Sequence, residues 1–133
     1  MNEIIADTNV LLRIIVDNDP KQRPLALAAM ASAETVAISL SALCEMVWVM
    51  ERSYRVAKPD VAAAIRFFAE MSNVVLNRPA LEAGLRLLDA GGDFADGVIA
   101  FDGQWLGGET FVSFDRKAVK LLQGLGEAAV LLG

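Results

Sequence analysis

Histidine is absent from this 133-residue chain, and cysteine occurs only once, at Cys44. The lack of histidine excludes Ser-His-Asp triads, Cys-His pairs and histidine-ligated zinc. A single cysteine cannot form a disulfide within the chain, and its apolar surroundings indicate a small buried hydrophobe. Any catalysis must therefore be carried out by carboxylates, hydroxyls, lysines and arginines.

Long apolar runs are missing as well. The longest largely apolar stretch, from Leu25 to Ala33, is far shorter than the ~20 residues that a membrane-spanning helix needs. The N-terminus has no basic region ahead of an apolar one, so no secretory signal is expected. The sequence therefore predicts a cytoplasmic protein without a membrane partner.

Positive charge is the scarcer sign, with 12 Lys and Arg against 17 Asp and Glu, a net charge of −5 and a pI near 4.6. Taken alone, this balance argues against nucleic-acid binding, because phosphates are contacted mainly by Lys and Arg. A pocket that holds several unpaired carboxylates gives the same excess, and bound divalent cations then reverse the local sign. The hydrophobic content of 55% indicates a globular chain and is compatible with a dimer face.

Strand-like and helix-like segments alternate along the chain. The predicted strands are Glu3 to Ala6, Thr35 to Ser39, Asn73 to Leu76, Thr110 to Phe114 and Ala128 to Leu132. The predicted helices are Val10 to Val16, Pro24 to Ala33, one capped by Ser41 and running to about Tyr54, one opening at Lys58, Pro79 to Leu88, Asp93 to Leu106 and Arg116 to Leu122. This alternation predicts an α/β fold, a three-layer α/β/α sandwich with a mostly parallel central sheet. No repeat or linker interrupts it, so residues 1–133 are predicted to form one domain.

Acidic residues stand where the predicted strands end. Asp7 follows the first strand, Glu45 lies near the start of the helix after the second, and Asp115 follows the fourth. Asp93 and Asp96 are three residues apart, so they share one face near the start of a helix. In open α/β sheets functional groups gather beyond the carboxyl ends of the strands. We therefore expect these acids at one edge of the fold.

Such a set of carboxylates needs a cation, because the acids would otherwise repel one another and some would be protonated. Oxygen ligands of this kind suit Mg²⁺ or Mn²⁺. These ions polarise a phosphate and generate hydroxide from water, which is how a site without histidine hydrolyses a phosphodiester. The pattern therefore favours metal-dependent phosphodiester hydrolysis.

Each acid also has a structural interpretation. Asp7, Asp93 and Asp115 all suit helix caps or first-turn positions that complement the helix dipole. Glu45 is the hardest to explain in this way, because it interrupts an apolar run and an unpaired buried carboxylate is costly. From the residues alone both interpretations stay open.

Four segments of the chain form a recognisable series. They are Asp7-Thr8-Asn9-Val10-Leu11, the helix from Ser41 to Met50 around Glu45, Asp93 to Ala100, and Val112 to Ala118. In this order they resemble the PIN-domain ribonucleases, and most closely the VapC-type toxins of toxin–antitoxin pairs. The similarity covers essentially the whole chain.

The resemblance implies a role for each matching residue. The three central acids that hold the metal are Asp7, Glu45 and Asp96. A fourth, more variable catalytic acid is Asp115, and an additional acid on the same helix as Asp96 is Asp93. The polar positions that orient these acids are Thr8, Asn9 and Ser113. The resemblance further implies one or two Mg²⁺ or Mn²⁺ ions, an RNA substrate, a cognate antitoxin whose C-terminal segment blocks the site, and a homodimer.

Two other functions remain open on the sequence. A haloacid-dehalogenase-like phosphohydrolase would use the segment that begins at Asp7, but it needs a second aspartate where this chain has Asn9, and it leaves Glu45 unexplained. A catalytically silent protein-binding module on the PIN scaffold suits the acidic, apolar composition, but it does not explain why acids stand at the strand ends.

Three further expectations concern residues around these motifs. Gly97 stands where the family more often has alanine, and glycine there is expected to cost up to ~1 kcal/mol of helix stability. Trp48 and Phe67-Phe68 are expected in the core or a dimer face, in preference to a base-stacking platform. The candidate cations for holding RNA are Arg13, Lys21, Arg23, Arg52, Arg55, Arg116 and Lys117.

Overall fold

The structure of residues 2–133, a computed structural model, divides the chain into two compact units, Met1–Asn77 and Arg78–Gly133. The N-terminal unit contains β1 (Glu3–Ile5), α1 (Thr8–Ile15), α2 (Gln22–Ser32), β2 (Thr35–Ala37), α3 (Leu40–Arg52), α4 (Lys58–Ala69) and β3 (Val74–Val75). The C-terminal unit contains α5 (Arg78–Asp89), α6 (Phe94–Trp105), β4 (Phe111–Ser113), α7 (Arg116–Gly124) and β5 (Ala129–Leu131).

The three strands of the N-terminal unit form one parallel sheet in the order β1-β2-β3. Val36 pairs with Ile4 on one side and Val74 on the other, and both valines are buried. Side chains alternate across a sheet, so Ile5 and Val75 lie on the opposite face, where they are 83% and 58% exposed. The buried face carries the apolar interior of this unit, with Leu11, Met30, Leu43, Met46, Met50, Val61, Ile65 and Phe68.

A parallel pair of strands, β4 and β5, forms the sheet of the C-terminal unit. Its interior includes a cluster of Leu87, Val119, Leu122 and Ala129. Because β4 and β5 bracket α7 in the chain, this unit repeats the strand–helix–strand pattern that the sequence predicts.

Glycine lets α5 and α6 approach each other closely. A Cβ atom built on Gly97 would lie 2.6 Å from the carbonyl oxygen of Ala83, and one on Gly84 would lie 2.6 Å from the ring of Phe94. The expectation that glycine at 97 merely loses helix stability relative to alanine is therefore wrong. Alanine would collide with the backbone of α5, and this close approach sets the position of the helix that carries Asp96.

The predicted α/β class is confirmed, and all strand pairs in the described residues are parallel. The pairs belong to two sheets, of three and two strands. The expected cap at Ser41 is wrong: Ser39 is the last extended residue, and its hydroxyl accepts the N–H of Ala42 at 3.1 Å. Among the described residues, no helix combines the length and apolar character that crossing a bilayer requires.

Candidate active site

Asp7 occupies the turn between β1 and α1 and caps that helix. Its backbone is extended, with φ −75° and ψ 157°, and its Oδ1 accepts the N–H of Thr8 at 2.8 Å. The side chain is exposed. The capping interpretation of Asp7 is therefore correct, and the cap leaves the carboxylate at the surface, where it is accessible to an ion.

Thr8 connects the start of α1 to Glu45 on α3. Its hydroxyl donates to Glu45 Oε1 at 2.6 Å. Thr8 is only 6% exposed and is the one buried polar residue in the described part of the chain, whereas Glu45 is exposed. A short hydrogen bond from a fixed, neutral donor orients the carboxylate and leaves its charge uncompensated.

Asn9, the third polar residue of this segment, does not take part in that contact. Its side chain makes no hydrogen bond among the described residues. It lines a largely apolar groove of about 300 Å³ between α1 and α2, next to Val10 and Arg13. Arg13 Nε donates to Gln22 Oε1 at 2.7 Å across this groove. The predicted orienting role of Asn9 therefore has no contact to support it.

Three acids of the C-terminal unit line one small cavity of about 40 Å³. Asp93 is the N-cap residue of α6, Asp96 lies in the first turn of the same helix, and Asp115 is the N-cap residue of α7. The other lining residues are Gly91, Gly92, Lys117 and Ala118. A space of this size holds a water molecule or an ion with few ligands.

The electrostatics of this cavity converge on Asp96. Burial is the largest cause that raises the pKa of Asp96, and the negative charges of Asp93 and Asp115 raise it further. Lys117 lines the same cavity, yet the pKa of Asp96 still lies above the ordinary aspartate value. The cavity therefore carries an excess of negative charge, which a bound cation would relieve.

Ser113 and Asp115 form a local turn at the end of β4. The backbone N–H of Asp115 donates to Ser113 Oγ at 2.9 Å, and Asp115 Oδ1 accepts the N–H of Ala118 at 3.1 Å. Ser113 thus fixes the backbone at Asp115, and the cap fixes its side chain. Like Asp7, Asp115 caps a helix while its carboxylate remains exposed at the surface.

The donors suit a hydrated divalent ion. Within residues 2–133, no three acidic, histidine or cysteine side chains are grouped so as to hold an ion by themselves. Mg²⁺ does not need such a group, because it usually keeps several waters and binds through one or two carboxylates. The carboxylate oxygens around the cavity, with the raised pKa of Asp96, fit an ion of this kind.

Comparison with known families shows which family the chain belongs to. A model of the PIN domain matches residues 4–121, a range that includes every candidate site residue. The chain belongs to the PIN domain family. PIN domains are generally metal-dependent nucleases, so the predicted nuclease class is confirmed at that level. No curated protein matches the chain.

Sequence reasoning missed the part that Gly91 and Gly92 play. Gly91 follows α5 and has the left-handed φ of 98° that favours glycine at a helix end. Gly91 and Gly92 also line the acidic cavity, directly ahead of Asp93. The Gly-Gly-Asp sequence was the available signal, because glycine lets backbone come close to a ligand.

Proposed function

We propose that this PIN-domain protein is a metal-dependent endoribonuclease and the toxin of a toxin–antitoxin pair. The observation that carries the proposal is the crowding of Asp93, Asp96 and Asp115 around one small cavity, where burial and mutual repulsion raise the pKa of Asp96. Perturbed carboxylates in a cleft are typical of functional sites. In a family of metal-dependent nucleases, that arrangement supports a site for a divalent cation.

In this proposal, the residues that hold one or two Mg²⁺ or Mn²⁺ ions are Asp7, Glu45, Asp96, Asp93 and Asp115. A bound ion supplies polarisation of the phosphate and lowers the pKa of a water molecule. Thr8 orients Glu45 through its 2.6 Å hydrogen bond. Asp96 accepts a cation only when ionised, so its raised pKa ties ion binding to pH.

The finer parts of the proposal rest on the resemblance of the four motifs to VapC-type toxins. That resemblance supports RNA as the substrate, a cognate antitoxin that blocks the site, and a homodimer as the oligomeric state. Expression of the protein in bacterial cells tests the toxin role. Wild type is expected to arrest growth and Asp96→Asn to permit it, whereas equal growth of the two strains would contradict the role.

The direct test is cleavage of RNA by the purified protein with Mg²⁺, with Mn²⁺ and with EDTA. Asp96→Asn removes one carboxylate from the cavity, and Asp102→Asn is the matched control, since Asp102 lies on the same helix but does not line the cavity. We expect metal-dependent cleavage by wild type and the control, and a loss of more than about a hundredfold in Asp96→Asn, because even supporting residues of metal sites contribute 10–100-fold. Absence of cleavage on every RNA would favour the silent binding module.

A further inference from the structure

One exposed face of α3 carries both Glu45 and an aromatic side chain. Glu45, Trp48 and Arg52 follow one another at intervals of three and four residues, so they lie along a single stripe of the helix. Trp48 is 58% exposed, so of the two positions expected from the sequence, the core and a dimer face, the core is wrong. Glu45 and Trp48 are separated by less than one turn, about 4.5 Å along the helix axis.

Arg52 completes an organised pair with Trp48. Its guanidinium carbon lies 5.4 Å from the centroid of the indole ring, a cation–π contact. In the part of the chain that the structure describes, Arg52 makes no ion pair, whereas its neighbour Glu51 is bound by Lys58 at 3.0 Å. Arg52 therefore keeps its positive charge available while it is held over the ring.

The surroundings of Trp48 favour a nucleic acid over a protein partner. The exposed residues of this stripe are Ser41, Glu45, Trp48 and Arg52, so one aromatic ring stands among polar and charged groups. A protein interface core is built from contiguous apolar surface with few charges. An aromatic ring beside a guanidinium suits a nucleobase, which stacks on the ring, and its phosphate, which the guanidinium binds.

We propose that Trp48 and Arg52 form a base-stacking subsite for single-stranded RNA, next to Glu45. This inference rests on the proposed function, because Glu45 marks the place of the scissile phosphate. A base can stack on Trp48 only when it is not already paired and stacked within a helix. The subsite therefore selects an unpaired nucleotide beside the bond that is cut.

Binding without cleavage isolates the subsite. The protein contains two tryptophans, and Trp105 is 75% exposed on α6 of the other unit. In a Trp105→Phe background Trp48 is the only indole, so its fluorescence reports directly on stacking. With EDTA present to prevent cleavage, we expect a short single-stranded RNA to quench this fluorescence, and the same strand in a duplex to leave it nearly unchanged.

Substitutions then measure the contribution of the ring. Trp48→Leu is expected to weaken single-strand binding by about fivefold to about a hundredfold, the range for one stacked base. Trp48→Phe should restore most of the binding affinity that Trp48→Leu loses. Arg52→Gln should weaken single-strand binding and lower its salt dependence. Trp105→Leu should leave single-strand binding unchanged. Circular dichroism on each variant checks that the exposed substitution has not unfolded the chain.

The outcomes separate this inference from the proposed function. If wild type cleaves RNA with metal while Trp48→Leu cleaves a single strand with unchanged KM, the subsite is overturned and the nuclease stands. If no RNA is cleaved but Trp48→Leu loses single-strand binding, the subsite stands and the nuclease falls. If Trp48→Leu instead converts a dimer to a monomer in sedimentation with RNA binding unchanged, the surface is a protein interface and the inference is wrong.

Discussion

The two units hold their candidate acids in different ways. In the N-terminal unit, Asp7 and Glu45 are exposed, and each accepts a hydrogen bond from Thr8, one from its backbone and one from its hydroxyl. In the C-terminal unit, partial burial raises the pKa of Asp96, and the negative charges of Asp93 and Asp115 raise it further. The two N-terminal acids are joined through Thr8, whereas Asp96 of the C-terminal set is partly buried beside two other carboxylates.

In the proposed metal site, this difference gives the two sets separate tasks. A carboxylate held by a hydrogen bond can present an oxygen to an ion without a large rearrangement, so the N-terminal acids would provide geometry. A carboxylate whose pKa is raised by burial and by neighbouring charges gains most when a cation arrives, so the C-terminal acids would provide the electrostatic driving force. Substitutions in the N-terminal unit should therefore affect activity with little change in stability. Substitutions at the acidic cavity should change both.

Asp7→Asn gives the largest expected effect. We expect cleavage to fall by more than about a hundredfold, because the amide no longer offers an anionic ligand. The fold should be retained, since asparagine caps helices about as well as aspartate. RNA cleavage and thermal denaturation measure the two quantities.

Asp19→Asn is the matched control for that substitution. Asp19 also caps backbone, accepting the N–H groups of Lys21 and Gln22 at 3.0 and 2.9 Å. It lies outside both sets of acids, so this variant should remain fully active. Full activity of Asp7→Asn would remove Asp7 from the proposed site.

Thr8→Val tests the orienting role of the hydroxyl. Valine has nearly the same shape, so the buried position is filled while the 2.6 Å hydrogen bond to Glu45 is lost. We expect cleavage to fall about 10–100-fold, as for other residues that support metal ligands. Thr8→Ser keeps the hydroxyl and should recover much of the activity. Equal rates for the valine and serine variants would show that the hydrogen bond is structural only.

Gly97→Ala tests the close approach of α5 and α6. Overpacking costs about 1–3 kcal/mol and alanine returns up to about 1 kcal/mol of helix propensity, so the free energy of unfolding should fall, by up to about 3 kcal/mol. Gly103→Ala on the same helix meets no atom within 4 Å and should gain up to about 1 kcal/mol. Urea denaturation measures both. Stabilisation by Gly97→Ala would show that the helices can separate at no cost.

The smallest expected effect is that of Asp96→Asn on the thermal stability of the metal-free protein. Because the folded state raises the pKa of Asp96, ionised Asp96 destabilises the fold once the pH exceeds the ordinary aspartate value of 3.8. In EDTA, Asp96→Asn should therefore raise Tm at neutral pH. The gain should disappear as the pH falls below the ordinary value, where Asp96 is protonated in both states. A gain that persists at acidic pH would mean that charge is not its cause.

The order of elements could be predicted from the sequence because hydrophobic period and turn residues are local signals. The wrong prediction of Ser41 as the cap of α3 shows what local signals cannot decide. Ser39 and Ser41 both precede the apolar run, and only the extended backbone of Ser39 identifies it as the cap. The apolar run around Glu45 suggested burial, but the helical period places Glu45 and Trp48 together on the exposed face.

The types of residue in the candidate site could be predicted from the sequence, whereas the contacts between them could not. Acids at strand ends indicated the chemistry, yet the bond between Thr8 and Glu45 joins residues 37 positions apart in the chain. The requirement for glycine at 97 depends on the backbone of Ala83, which no pattern around Gly97 reveals. Long-range packing decides such features, and a single sequence does not display it.

Calorimetric titration with Mn²⁺ measures whether these acids bind a divalent cation. The proteins compared are wild type, Glu45→Gln from the N-terminal unit, Asp96→Asn from the acidic cavity, and Asp102→Asn as the control. We expect saturable binding by wild type and the control, and affinity more than about tenfold weaker in each of the other two variants. Binding of equal strength in all four proteins, or no binding by wild type, would contradict it.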